Sequence, residues 1–167
     1  MQTTNPPVEI VEANLNHGPH QKAIVELLDA YARDPMGDGK PLSAQVRQEL
    51  IPGLQQHPTT IVFLAYAGYA PVGIAVCFKG FSTFAARPLI NIHDFAVLPD
   101  RRGLGIGRTM LAAIEQKAIE LGCCRLTLET QENNHRARKI YEAGGFSQAL
   151  YQAEAGGSLF YTKKIDN

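Results

Sequence analysis

The most restrictive feature of the chain is a strand that runs through a short glycine-rich turn straight into an amphipathic helix. It reads Val97-Leu98-Pro99-Asp100-Arg101-Arg102-Gly103-Leu104-Gly105-Ile106-Gly107-Arg108. Glycines let a backbone approach a ligand closely. The first turn of a helix offers N–H groups without an intrahelical partner, at the positive end of the helix dipole. Arg101, Arg102 and Arg108 add charge beside them. Such a segment suits a phosphate or pyrophosphate. It is not a Walker A loop, because no Gly-Lys-Ser/Thr follows. Nor is it a dinucleotide fingerprint: Arg108 stands where the third glycine belongs, and that fold would begin with the unit instead of placing it after four strands. A glycine-rich turn with no ligand remains the alternative at this point.

The pattern around this segment sets the architecture. Val8 to Leu15 reads as a first strand and His20 to Tyr31 as a helix with an apolar stripe. Asp34-Pro35-Met36-Gly37-Asp38-Gly39 breaks that helix. A second helix is expected over Ser43 to Gln55, with Ser43 as N-cap and an interruption near Pro52-Gly53. Thr60–Tyr66 and Val72–Phe81 read as a hairpin, and Leu89–Leu98 as another strand. Gly105–Leu121 is a helix closed by Gly122, Arg125–Thr130 a strand, and Asn134–Ala143 a short helix. Phe146–Gln152 and Ser158–Ile165 are expected to form a final strand pair around Gly156-Gly157. The order β-α-α-β-β-β-α-β-α-β-β predicts an α/β fold: a mixed, mostly antiparallel central sheet with helices on both faces. No repeat or long linker divides the 167 residues, so one domain over residues 1–167 is expected.

A second motif follows the next strand: Asn134-His135-Arg136-Ala137-Arg138-Lys139-Ile140-Tyr141-Glu142-Ala143-Gly144-Gly145-Phe146. Together, Arg102-x-x-Gly105-x-Gly107 and Asn134-x-x-Ala137-x-x-x-Tyr141-x-x-x-Gly145-Phe146 resemble the GNAT superfamily of acyl-CoA-dependent N-acyltransferases. The resemblance is detailed over residues 89–146 and extends to the whole chain through element order. It implies acetyl-CoA as cosubstrate, with no metal. The N–H groups of Gly103, Leu104, Gly105, Ile106, Gly107 and Arg108 would hold the pyrophosphate, with Arg102 beside them. The backbone of Phe95, Ala96 and Val97 would pair with the pantetheine and acyl carbonyl in a gap between this strand and the one at Leu126–Thr130. Asn134 would reach the pantetheine, Ala137 would leave room for it, and Tyr141 would stand near the thioester sulfur as general acid.

The reaction so implied is direct acetyl transfer to an amine. His93 is a candidate base, since strand alternation sets it on one face with Phe95, and an imidazole titrates in the right range. Asp94 falls on the opposite face, where a structural contact is expected. Glu129, on the next strand, is a rival base or amine anchor. The acceptor would meet Tyr31, Asp34 and Met36 between the first helices, or Phe81 and Phe84 before the central strand.

Charge and cysteine bound the partners. The 16 basic and 16 acidic residues cancel, so nothing advertises nucleic acid or a membrane surface. Residues 101–139 carry eight Lys/Arg against four Asp/Glu, and residues 1–58 carry four against seven, which suits an anionic cosubstrate and a cationic amine. The three cysteines, Cys77, Cys123 and Cys124, show no metal or redox spacing. With no signal-peptide pattern at Met1–Glu9, a cytoplasmic setting is expected. A small-molecule amine is the leading acceptor. A protein N-terminus or lysine, and a non-catalytic CoA-binding sensor, are the alternatives. The family often forms homodimers through its last strands.

Overall fold

The longest strand organises the sheet. A computed structural model of the chain describes residues 6–150, 154 and 156–165. In chain order the elements are β1 (Val8–Glu12), α1 (Gly18–Arg33), α2 (Ala44–Gln56), β2 (Thr60–Ala67), β3 (Ala70–Ser82), β4 (Arg87–Val97), a 3-10 turn (Pro99–Arg101), α3 (Ile106–Glu120), β5 (Leu126–Leu128) and α4 (His135–Ala143). The strands lie in the order β1-β2-β3-β4-β5. The first four pair antiparallel, and β4 pairs parallel with β5 across the α3 crossover. The expected mixed sheet is therefore the one observed.

Each face of the sheet is covered by its own pair of helices. On one face α3 and α4 bury Ile106, Met110, Ile114 and Tyr141 against Ala75, Cys77, Ile90 and Ile92. On the other, α1 and α2 bury Ile24, Leu27 and Leu54 against Val62, Leu64, Ile74 and Val76. Asp29 ties that second layer together. Its carboxylate is paired with Arg33 at 3.0 Å and Arg47 at 3.2 Å, and accepts the Leu42 N–H at 2.9 Å.

Two expectations about the elements are corrected. Helix α2 is not interrupted at Pro52: it continues to Gln56, with Ser43 capping the Val46 N–H at 3.2 Å. Pro52 and Gln48 are both exposed, so water can satisfy the carbonyl that the proline leaves free. The expected final strand pair does not form among the described residues: 146–150 and 156–165 carry no strand. Tyr151 and Gln152, the remainder of that expectation, lie outside the described residues. The sheet gives such a hairpin little to join, because β5 spans three residues. Leu159, Phe160 and Tyr161 stay exposed, without burial to offset the entropy of ordering them. Phe146 alone packs inward, against Tyr141.

Candidate active site

The pairing of β4 and β5 stops early. Its register runs Ile90↔Leu126, Asn91↔Thr127 and Ile92↔Leu128, and then ends. β4 continues to Val97, so its last five residues have no neighbour on that side. The Leu98 N–H donates to Val72 O at 2.9 Å, which fixes the phase of the ladder with β3. Alternation then turns the N–H and C=O groups of Val97 and Phe95 to the open side, and those of Ala96 to β3. The open edge of β4 leads to the glycine-rich turn. There α3 begins at Ile106 behind Gly105, which has φ +81° and provides no side-chain cap. A Cβ at Gly103 or Gly105 would point into open space, whereas one at Gly107 would meet Phe95 at 3.5 Å. Gly107 thus lets α3 lie close on the strand, and the turn leaves its first N–H groups bare. An anionic ligand tail fits this turn, and an extended ligand arm fits the open strand edge.

Arg102 does more than add charge beside the turn. Its Nε donates to Val97 O at 2.9 Å and its Nη2 to Asp34 Oδ2, so it fastens the turn to the end of α1. Asp34 is buried, and its other oxygen accepts the Met36 N–H at 2.8 Å. Burial pushes its carboxyl up, but the hydrogen bonds from Arg102 and Met36 and the charges of Arg102 and Arg136 outweigh this and hold it below the usual range. Both oxygens of Asp34 are engaged inside the fold, one by Arg102 and the other by the Met36 N–H. Met36 lies at the same corner, its carbonyl accepting from Gln131 at 3.5 Å.

Helix α4 brings two of the expected residues to the gap. Asn134 Oδ1 caps the helix by accepting the Ala137 N–H at 3.2 Å, leaving its NH₂ for a ligand. Tyr141 is buried, with its ring 5.9 Å from Phe95 and 5.9 Å from Phe146. Burial, with a further push from Tyr31, raises its phenol to about 12. Burial also raises Tyr31, and the charges of Asp94 and Asp34 add to the effect. The two phenols approach from opposite faces of the sheet.

His93 does not share a face with Phe95. The register places Asp94 opposite Val76 and Ile92 opposite Cys77, so His93 is the extra residue of a β-bulge. The bulge reverses the alternation. Phe95 packs into the α3/α4 core, while His93 sets its ring 5.5 Å from Phe78, which packs against the α1/α2 core. Asp94 follows His93 on the α1 side, and its carboxylate makes no hydrogen bond to any described residue. Burial pushes that carboxyl up, opposed by the charge of His93. Asp94 is the residue that sequence reasoning set aside. The signal for it lay in the phase slip of the strand: Ile90 and Ile92 are two apart, but Phe95 comes three later, followed by Val97.

Glu129 is exposed and directly follows Leu128, on the β5 lip of the gap. Phe81 and Phe84 are exposed at the β3–β4 turn, where Phe81 opposes Pro88. That places the turn five residues from His93, about 17 Å along the strand. The fold does not bring these two phenylalanines to Tyr31 and Tyr141. Cys77 is buried, and burial pushes its thiol up to about 12, as befits a packing residue. Among the described residues no group of three or more His, Cys, Asp or Glu could hold a metal ion, and no helix is long and apolar enough to cross a membrane.

Comparison with known proteins gives the family and the fold. The model of the acetyltransferase (GNAT) family matches residues 23–146. The chain is 28% identical over 95 residues to the uncharacterized N-acetyltransferase YhfO of Bacillus subtilis, a match spanning 57% of this chain and 63% of that protein. It is 34% identical over 87 residues to the thialysine N-epsilon-acetyltransferase of Bos taurus, spanning 52% of this chain and 50% of that one. The chain thus spans between half and two thirds of these curated relatives. A crystal structure of a probable acetyltransferase superposes with a TM-score of 0.78 at 20% identity, covering 95% of this chain and 99% of the other.

Proposed function

The chain belongs to the acetyltransferase (GNAT) family, and from that premise we propose that it transfers an acetyl group from acetyl-CoA directly to the primary amine of a small molecule, acting as a single domain. One observation carries the reading: β4 parts from β5 after Ile92, and the freed strand edge leads into a bare, glycine-rich helix start. The name of the bovine relative supports a small amine as acceptor.

Acetyl-CoA, when bound, supplies the activated acyl group. The N–H groups from Gly103 to Arg108 hold its pyrophosphate, and Asn134 and the backbone of Phe95 and Val97 hold its arm. The Phe95 N–H also stabilises the negative charge that develops on the carbonyl oxygen as the amine nitrogen attacks. Asp94 takes the proton that the amine must lose, because a carboxylate made more basic by burial is a better acceptor. His93, exposed beside it, passes the proton to water. When the C–S bond breaks, the electron pair leaves on sulfur and Tyr141 donates the proton that completes the thiol. Incubation with acetyl-CoA and a pool of primary amines, with mass detection of products, tests the reading. Acetyl-CoA binding without an acylated product from any amine would instead favour a sensor.

Two substitutions probe the halves of the site. Gly105→Val puts a β-branched residue at φ +81°, which such residues avoid. The turn must then re-route, and acetyl-CoA affinity is expected to fall at least about tenfold while the protein still melts cooperatively. Unchanged affinity by calorimetry would remove the pyrophosphate assignment. Asp94→Asn keeps shape but removes the base. Its kcat is expected to fall about a hundredfold near neutral pH, and the acid limb of the pH–rate profile, displaced above the ordinary carboxylate range by burial, should vanish. A limb that survives in the variant belongs to another group.

A further inference from the structure

The transfer reading leaves open which amines the protein takes, and a groove on its surface answers by chemistry. It lies along α2, has a volume of about 370 Å³ and is open to solvent. Val46, Leu50, Leu54 and Phe78 wall it, with Glu49 and His57 as its polar groups. None of the acceptor residues expected from sequence lies in it. The spacing of its α2 residues puts them on one helical face, and Val46 on that face remains 43% exposed.

Two contacts connect the groove to the reacting end of the site. The Phe78 ring lies edge-on between His57 at 4.8 Å and His93 at 5.5 Å. His93 is the bulge residue, next to Asp94 and two before Phe95. A molecule lying in the groove would therefore need only to pass Phe78 to present one end beside His93 and Asp94. A volume of this size is typical of a small-molecule site. Glu49, the one carboxylate in the lining, favours a cation over an anion.

We propose that this groove is the acceptor pocket, and that it selects primary amines carried on an apolar body by an arm of several carbons. The inference rests on the transfer reading for its catalytic half, and on the groove alone for its binding half. The apolar body lies between Leu50, Leu54 and Phe78, and the arm spans the 5.5 Å from Phe78 to His93.

Gly53 provides the test. It lines the groove from inside α2, and a Cβ there would meet nothing within 4 Å. Gly53→Leu therefore starts from open space at its Cβ, adds bulk to the groove lining and replaces a poor helix former with a good one. Gly53→Ala, which adds a single methyl, is the control. Binding of 4-phenylbutylamine, read by saturation-transfer NMR without turnover, should be clear for the wild type and Gly53→Ala and at least tenfold weaker for Gly53→Leu. Steady-state assays should then show the KM for 4-phenylbutylamine rising by at least tenfold in Gly53→Leu, with the KM values for ethanolamine and acetyl-CoA unchanged. Binding that Gly53→Leu does not weaken, or no binding by the wild type, overturns the proposal and leaves the groove to a protein partner. Binding lost in Gly53→Leu, with no acetylation of any amine by the wild type, sustains the pocket and overturns the transfer reading instead.

Discussion

Tyr141→Phe should lower kcat about a hundredfold and leave acetyl-CoA affinity nearly unchanged. The substitution removes one oxygen from a ring that is otherwise retained. That ring packs between Phe95 and Phe146 in the α3/α4 core, and a phenylalanine fills the same space. The hydroxyl makes no hydrogen bond to any described residue, so its removal leaves no partner stranded. Its chemistry is a different matter. Burial raises the phenol to about 12, so Tyr141 holds its proton near neutral pH and, in the proposed transfer, would have one to give when the thiolate departs. Single-turnover measurement of thiol release separates this step from binding. A variant that releases CoA at the wild-type rate would show that the proton reaches sulfur from elsewhere. A variant that also lost affinity would show that the hydroxyl grips the ligand.

The largest effect on stability is expected at the contact between the glycine-rich turn and α1. Arg102→Met should destabilise the protein by about 3 kcal/mol. The loss comes less from the missing attraction than from leaving the Asp34 carboxylate buried without its main partner. The double variant with Asp34→Asn should therefore be more stable than Arg102→Met alone, which urea titration of the three proteins would decide. Acid titration gives a second readout. In the wild type the Asp34 carboxyl titrates below its unfolded value. Its contribution is thus complete above the ordinary carboxylate range and is lost as pH falls through the lowered value. Asp29, also held low after burial is outweighed by Arg33, Leu42 and Arg47, acts in the same direction in both proteins. The difference between wild type and Arg102→Met should therefore be largest near neutral pH and shrink on acidification. A difference that is flat with pH would mean that the pair contributes through packing alone.

Much of this architecture could be read from the residues. The hairpin over β2 and β3 and the α3 helix announced themselves through alternation, the apolar stripe and glycine punctuation, which are local signals. The layout of the gap was likewise legible through the two spaced motifs. Three features were not read. The pairing of Asp34 with Arg102 spans 68 positions of sequence and follows from how α1 packs on the sheet. The continuity of α2 through Pro52 depends on which side of the helix faces water. The bulge at His93 was written in the spacing of Ile92 and Phe95, yet a single unopposed residue is easily passed over in a run that otherwise alternates. Missing it put His93 on the same face as Phe95.

That bulge divides β4 into two half-strands with separate obligations. The half before it is held in register by β5 and presents Ile90 and Ile92 to the α3/α4 core. The half after it is held by β3 alone on one edge and keeps the other free. His93 at the joint belongs to neither register, and so can change identity without shifting the backbone groups beyond it. Under the proposed transfer, a chain built this way could revise what it accepts at His93 while the strand edge at Phe95 and Val97 and the turn that follows, the proposed seat of the donor, stayed as they were.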